Sequence, residues 1–175
     1  MATFHPKTIR GKIYTLEHLE PFNFTLKTDA GPRVVDVRFT CHCFTEDITP
    51  AHTPDLRYTH GHETRAFDLD RHELSKLLPQ LISELGRRSV YMSKMSNFFI
   101  LRQDPATAFT GPYLVFFNVT RSKAKGVHVL MNVESAYMKP DMTDRASPVK
   151  FTTLIEKTAA GLSVSRGPEV TIKRK

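Results

Sequence analysis

The chain has 175 residues, of which 40% are hydrophobic and 25% are charged, a composition typical of one globular domain with its own core. It has no apolar run of membrane-spanning length, and its N-terminus lacks the apolar segment of a secretory signal. Two cysteines are too few for a disulfide framework. We therefore expect a cytoplasmic protein without a membrane partner.

The formal net charge of +7 is distributed unevenly along the chain. Residues 1–86 carry 10 Lys and Arg against 12 Asp and Glu, whereas residues 87–175 carry 15 against 6. This asymmetry predicts a basic surface built by the second half, and phosphate backbones are the commonest partner of such a surface. The alternative is a basic protein that its charge keeps in solution.

Two alternating segments, FNFTLKT (22–28) and RVVDVRFTCHCF (33–44), flank the turn sequence AGP and predict a β-hairpin. Alternation along the second segment predicts an apolar face formed by Val35, Val37, Phe39, Cys41 and Cys43. The polar face of the same strand would carry Asp36, Arg38 and His42. Residues 45–66 have no clear period, which indicates a functional loop or an unrecognised element.

The two cysteines continue an apolar stripe, so we interpret them as buried core residues. A zinc site is the alternative, because two thiolates and two imidazoles can complete a tetrahedron. Its ligands would be Cys41, Cys43, His60 and His62. The spacing lacks the paired C-x-x-C pattern, and neither a metal nor another cofactor is favoured.

The segment DLDRHELSKLLPQLISELGRR (68–88) predicts an amphipathic helix, since its leucines and Ile82 recur at helical spacing. Asp70 would cap the start with Glu73 in a capping box. Gly86 would end the helix, and Pro79 would kink it.

The second half contains five further segments that are typical of strands, because they are rich in Val, Phe and Tyr and broken by turn sequences. They are SVYMS (89–93), NFFILR (97–102), YLVFFNVT (113–120), VHVLMNVESAYM (127–138) and VKFTTLI (149–155). The predicted fold class is α+β, a mostly antiparallel sheet with one main amphipathic helix on a face and an N-terminal hairpin. A single domain would span 1–162, and 163–175 would form a basic tail, either a last strand or a loose arm.

The segment 127–138 is the best candidate for chemistry, because alternation places His128 and Glu134 on one face. A histidine and a carboxylate can act as acid and base in metal-independent RNA cleavage. Arg121 would stabilise the developing phosphorane charge, and Tyr137 would be an accessory donor or a stacking group. The alternative is structural: Glu134 pairs with a neighbouring cation, and His128 is a half-buried sheet residue.

Basic and aromatic residues are interleaved from position 87 onward, a pattern suited to phosphate contacts and base stacking. The predicted nucleic-acid contacts, for RNA in preference to DNA, are Arg87, Arg88, Lys94, Arg102, Lys123 and Lys125. Asp36, Arg38 and His42 would join the catalytic residues if the two polar strand faces met in one cleft.

The segments RFTCHCFT, FDLDRHELSKLLP, NFF and VESAYMK together resemble a family of small uncharacterised proteins carried by bacterial integrative elements and phages, over roughly residues 35–155. The predicted helix packed on a late antiparallel sheet is similar to the RelE-type and barnase-like ribonuclease folds. That second resemblance implies a toxin and a protein partner such as an antitoxin.

Three hypotheses follow from the sequence. The first is a metal-independent endoribonuclease of toxin type. The second is a binding module for nucleic acid or a host protein, such as a mobile-element accessory or inhibitor, without chemistry. The third is a structural zinc protein.

Overall fold

The computed structural model describes residues 3–92, 97–101, 112–139, 143–165 and 167–173. Its first elements, β1 (Lys7–Ile9) and β2 (Lys12–Tyr14), form a short antiparallel hairpin. The predicted hairpin is confirmed and follows this one along the chain as β3 (Phe22–Thr28) and β4 (Gly31–Phe39). Gly31 adopts a φ of 104° at the turn, a conformation that L-residues with a Cβ rarely take.

Residues 45–67 form the element that the sequence analysis did not recognise. A three-stranded antiparallel sheet consists of β5 (Thr45–Glu46), β6 (Arg57–His60) and β7 (Glu63–Phe67), with β7 in the middle. Its strands are short, and β6 directly follows a 3-10 turn at Pro54–Leu56, so no single window shows a clear alternation.

The segment predicted as one kinked helix is two helices, α1 (Leu69–Ser75) and α2 (Leu78–Ser83). Pro79 lies in the first turn of α2, because a proline without an N–H is tolerated there and not inside a helix. The predicted cap at Asp70 is wrong: Asp68 Oδ1 accepts the N–H groups of Asp70 and Arg71 at 2.9 and 3.0 Å. Gly86 does not end a helix but lies in a 3-10 turn, Leu85–Arg87.

The second half supplies the other strands of the largest sheet. They are β8 (Ser89–Met92), β9 (Asn97–Leu101), β10 (Tyr113–Arg121), β11 (Val129–Met138), β12 (Thr143–Lys150) and β13 (Val170–Lys173). The eight strands lie in the order β13-β12-β8-β9-β10-β11-β4-β3. Only β4 and β11 pair in parallel within it. The tail was predicted to be either a last strand or a loose arm, and the strand is observed: β13 pairs with β12.

The predicted strand at 149–155 is wrong from residue 151 onward: Val149 and Lys150 end β12, whereas Phe151–Ala160 form a third helix, α3. Phe151, Leu154 and Ile155 recur at helical spacing and are buried in the core, where α3 packs on β10, β12, β3, β4 and β11. The β-branched residues of this segment favoured a strand locally. Burial of one helical stripe outweighs that preference.

Gly161 ends α3 with a φ of 72°, and its N–H bonds to the carbonyl of Thr158 at 3.0 Å. We expect Gly161→Ala to lower the free energy of unfolding by about 1 kcal/mol, because a Cβ is strained in this conformation. That Cβ would also lie 3.3 Å from Arg121 Nη1. Urea denaturation measures the change.

The control for Gly161→Ala is Gly167→Ala, where a Cβ meets no atom within 4 Å and φ is not positive. The control is expected to change the free energy of unfolding by less than about 0.5 kcal/mol. Equal effects of the two substitutions would contradict the assigned cause.

The buried side chains form one main core beneath α2 and α3. A smaller apolar cluster around Leu114 and Ala146 lies on the other face of the large sheet. The predicted α+β class with mostly antiparallel strands is confirmed. Among the described residues, no helix is both long and apolar enough to span a membrane.

Candidate functional site

Residues Cys41–Cys43 form a 3-10 turn at the end of β4, not the predicted continuation of the strand. Thr40 holds this turn, because its hydroxyl accepts the His42 N–H at 3.3 Å and donates to the Glu134 carbonyl at 2.6 Å. A 3-10 turn has no two-residue alternation. The prediction that His42 shares a strand face with Asp36 and Arg38 is therefore wrong.

The turn brings three side chains of different chemistry together. His42 Nε2 lies 2.8 Å from Glu63 Oε1 and 3.0 Å from Oε2, and the Cys41 thiol donates to Oε2 at 3.7 Å. One ligand atom of each residue lies within 4.8 Å of the others. The His42 hydrogen bond lowers the pKa of Glu63, whereas burial and then the Glu63 charge raise the pKa of Cys41.

Arg65 orients this cluster from the side. Its Nη1 donates to Glu63 Oε1 at 3.2 Å and to Asp47 at 2.7 Å, while its Nε donates to the Thr45 hydroxyl at 2.9 Å. That hydroxyl in turn donates to the Cys41 carbonyl at 2.7 Å. The Arg65 guanidinium thus joins Glu63 to β5 and, through Thr45, to the turn that holds Cys41.

The structure does not bring the four zinc ligands of the sequence analysis together. Cys43 is fully buried, its thiol faces the Val133 carbonyl at 3.8 Å, and burial raises its pKa to about 12. The His60 ring packs on Phe4 at 4.9 Å between centroids, and His62 is exposed. Burial of both cysteines in the core is confirmed, although they lie in a turn.

The predicted acid–base pair is also separated. His128 and Glu134 are six residues apart along one extended segment, which places them about 20 Å from each other. His128 Nδ1 accepts the Val34 N–H at 3.0 Å, so that nitrogen already has a partner in the sheet. The Glu134 carboxylate accepts from Asn118 Nδ2 at 2.5 Å.

A β-bulge explains why alternation misplaces the end of this strand. The register between β10 and β11 shifts between Phe116 and Phe117, so Glu134 has no directly opposite residue. Beyond the bulge Ala136 is buried, and the Tyr137 ring stacks on Phe116 at 5.5 Å. Because the bulge inverts the alternation, Tyr137 does not share the face of Val133.

The other proposed cleft residues make local contacts. Asp36 and Arg38 form an ion pair of 3.1 Å on β4, beside Leu130 and Asn132 of β11. The Thr40 hydroxyl does link the His42 turn to the backbone of Glu134, but the two side chains have separate partners. The polar faces of β4 and β11 are thus contiguous, since Asp36 lies opposite Leu130 and Arg38 opposite Asn132. His42 does not belong to this shared face, because it lies in the turn after β4.

Of the predicted basic residues, Arg88 and Arg121 lie beside the two ends of α3. The Arg88 carbonyl accepts the N–H of Phe151 at its start, and Arg121 lies beside Gly161 at its end. In this predicted set, the exposed basic side chains are Arg87, Arg88, Arg121, Lys123 and Lys125. Lys94 and Arg102 lie outside the described residues.

A family model matches residues 6–159, which include both the 41–63 cluster and α3. The chain belongs to the YjaZ family. A comparison with curated proteins and one with solved structures found no match. The YjaZ match extends beyond the 35–155 segment of the resemblance noted from the sequence, while the likenesses to mobile-element proteins and to ribonuclease toxins stay predictions.

Within this YjaZ family member, the sequence analysis missed Glu63 and Arg65 as site residues. Both lie on β7, which was interpreted as part of a long connection. The five residues of β7, ETRAF, are three polar residues followed by two apolar ones, so no alternation indicated this strand. The proximity of Glu63 to Cys41 is a tertiary contact that no local pattern reveals.

Proposed function

We propose that the chain is a nucleic-acid-binding module that contacts phosphates through the basic side chains around α3 and does not cleave its ligand. The observation that carries this proposal is a group of exposed basic side chains near α3 that form no ion pair among the described residues, whereas carboxylates neutralise some of the basic side chains in the first half. In the first half, carboxylates pair with Arg38, Arg65, Arg71 and Lys76.

The basic side chains around α3 in the second half differ from these. Among residues that the structure describes, no carboxylate forms an ion pair with Arg87, Arg88, Arg121, Lys123 or Lys125. Exposed cations without a neutralising partner attract polyanions and exchange their counterions for phosphates.

The position of α3 relates the two groups of cations to each other. Arg87 and Arg88 are near its first residue and Arg121 is near its last. A helix of 10 residues is about 15 Å long, which matches about four nucleotides of a strand that rises 3.4 Å per residue. One bound strand can therefore contact both groups.

Binding without cleavage accounts for the geometry better than a ribonuclease does. General acid–base cleavage needs two groups within hydrogen-bond reach of one phosphodiester. His128 and Glu134 are about 20 Å apart along their strand, and each already holds a neutral partner in the sheet. The endoribonuclease of the sequence analysis is therefore the second candidate.

A salt titration tests the proposal. We expect labelled single-stranded RNA to bind, with an affinity that falls linearly on logarithmic axes as salt rises. Replacing Arg121, Lys123 and Lys125 together by glutamine should reduce the slope by about 2, at roughly 0.7 per phosphate contact. Fluorescence anisotropy at several salt concentrations, with DNA of the same sequence in parallel, gives the slopes.

A matched variant separates a local surface from net charge alone. Gln at Lys12, Arg38 and Lys76 removes the same formal charge from side chains that already have partners. That variant should keep the wild-type slope. Equal losses in the two variants, or no binding at low salt, would contradict the proposal. EDTA-resistant RNA fragments that disappear in Glu134→Gln would instead favour the ribonuclease.

A further inference from the structure

Cys41, His42 and Glu63 present a sulfur, a nitrogen and an oxygen ligand atom at the end of β4, all within 4.8 Å of one another. Zinc bonds of about 2.3 Å to sulfur and about 2.1 Å to nitrogen or oxygen put ligand atoms roughly 3.4–3.6 Å apart in a tetrahedron. The observed sulfur–oxygen distance is 3.7 Å, and the nitrogen–oxygen distances are 2.8 and 3.0 Å.

We propose that Cys41, His42 and Glu63 bind a divalent transition-metal ion of the zinc class. A thiolate, an imidazole and a carboxylate form a donor set suited to zinc and unsuited to magnesium or calcium, which prefer oxygen ligands. Insertion of the ion needs the His42–Glu63 contact to open by about 0.5 Å and Cys41 to lose its thiol proton to solvent. This inference is independent of the proposed nucleic-acid binding.

The surroundings already provide the outer contacts that metal ligands require. Glu63 Oε1 is held by Arg65 at 3.2 Å, which leaves Oε2, the oxygen near the thiol, for the ion. The backbone of Cys41 is fixed by the Thr45 hydroxyl, which Arg65 also contacts. Such outer-shell hydrogen bonds orient ligands and raise metal affinity.

The fourth coordination position would face solvent. The His42 and Glu63 side chains are 36% and 45% exposed, whereas Cys41 is buried at 4%. Three protein ligands with an open position are the arrangement of catalytic zinc sites, while structural sites use four protein ligands. The proposed site therefore differs both in its residues and in its type from the Cys41, Cys43, His60 and His62 set.

Cobalt titration of the full chain without an affinity tag tests the proposal. We expect one Co²⁺ per chain, with a thiolate-to-cobalt absorption band and the visible bands of a tetrahedral ion, and displacement by Zn²⁺. Cys41→Ser should abolish the thiolate band. Glu63→Gln, an exposed substitution that leaves the core intact, should weaken binding by at least the roughly 10- to 100-fold that outer-shell changes cost.

The chain offers a matched control in His52, whose Nε2 donates to Glu46 at 2.9 Å but which belongs to no described three-ligand group. His52→Asn should bind Co²⁺ as the wild type does. Three outcomes would overturn the proposal: no stoichiometric binding, a thiolate band that persists in Cys41→Ser, or equal weakening in His52→Asn and Glu63→Gln.

Discussion

Replacing Phe44 by alanine is expected to lower the free energy of unfolding by about 3–5 kcal/mol, the range for a fully buried phenylalanine. Its side chain is 0% exposed. Its ring centroid lies 5.1 Å from that of Phe4, 5.0 Å from that of Tyr58 and 5.7 Å from that of Phe67.

The size of this effect follows from what the ring joins. Phe4 precedes β1, Tyr58 lies on β6 and Phe67 ends β7, so one side chain packs the N-terminal segment against the three-stranded sheet. Alanine would leave a cavity between segments that cannot all close on it. Since domains unfold at a cost of about 5–15 kcal/mol, the variant is expected to be near the limit of folding.

Urea denaturation followed by circular dichroism measures the change, with Phe44→Leu as a milder variant if the alanine protein does not fold. Ile13→Ala is the control, because that side chain is 65% exposed and should change stability by less than about 0.5 kcal/mol. A loss below about 1 kcal/mol for Phe44→Ala would contradict the packing described.

Acidification from about pH 6.5 towards pH 4 is the second change with a large expected effect, because two neighbouring imidazoles are held neutral. Burial, and then the nearby His72 and Lys76, lowers the pKa of His18 to about 4. Burial also lowers the pKa of His72. The two rings lie 5.5 Å apart.

Both imidazoles donate from Nε2 to neutral oxygens. His18 contacts the Ser75 hydroxyl at 2.7 Å, and His72 contacts the Thr15 carbonyl at 2.9 Å. Neither contact is with a carboxylate. The nearby Glu73 charge raises the pKa of both rings, but this effect is smaller than the opposing effects of burial and of Lys76. His72 Nδ1 is buried without a partner among the described residues.

The sign of the effect follows from proton binding. Above about pH 6.5 both imidazoles are mostly neutral in the folded and in the unfolded chain. Their protonation therefore does not lower the free energy of unfolding there. As pH falls towards 4, the unfolded chain takes up protons that folded His18 does not, so stability is lost in that window. The shift of the His18 pKa from 6.5 to about 4 corresponds to about 3 kcal/mol of unfolding free energy. Because His18 is partly exposed, we expect a loss of about 1–2 kcal/mol.

Urea midpoints measured from about pH 7 to about pH 5 test this, a range that lies above the ordinary carboxyl pKa values. His18→Gln removes the titrating ring and should flatten the dependence. His62→Gln, at an exposed turn position, should leave it unchanged. A wild-type stability independent of pH over this range would contradict the assignment.

Local patterns predicted much of the fold. Alternation identified β3, β4 and most strands of the second half, because each buries one face. The same patterns failed at α3 and at residues 45–67. In α3, burial of Phe151, Leu154 and Ile155 outweighs the β-propensity of neighbouring residues, and β5–β7 are too short to show a period.

The candidate site was predicted only in part. The C-x-C segment was identified as a possible ligand source, and Cys41 and His42 do lie in a cluster. Glu63 was missed, and His60 and His62 were included, because sequence proximity cannot distinguish residues on the two sides of a tight turn. His128 and Glu134 share a strand pattern, but the spacing along an extended chain keeps them apart.

The amino-acid sequence by itself determined the α+β class, the buried character of both cysteines and the concentration of positive charge after residue 86, since composition and short-range periodicity encode these properties. Only the tertiary structure decided which cations remain without a carboxylate and which ligand atoms converge beside Cys41. Ion pairs and metal-type clusters join residues that are distant along the chain, as Cys41 and Glu63 are. Their geometry depends on how β4 and β7 pack, and no local pattern specifies that packing.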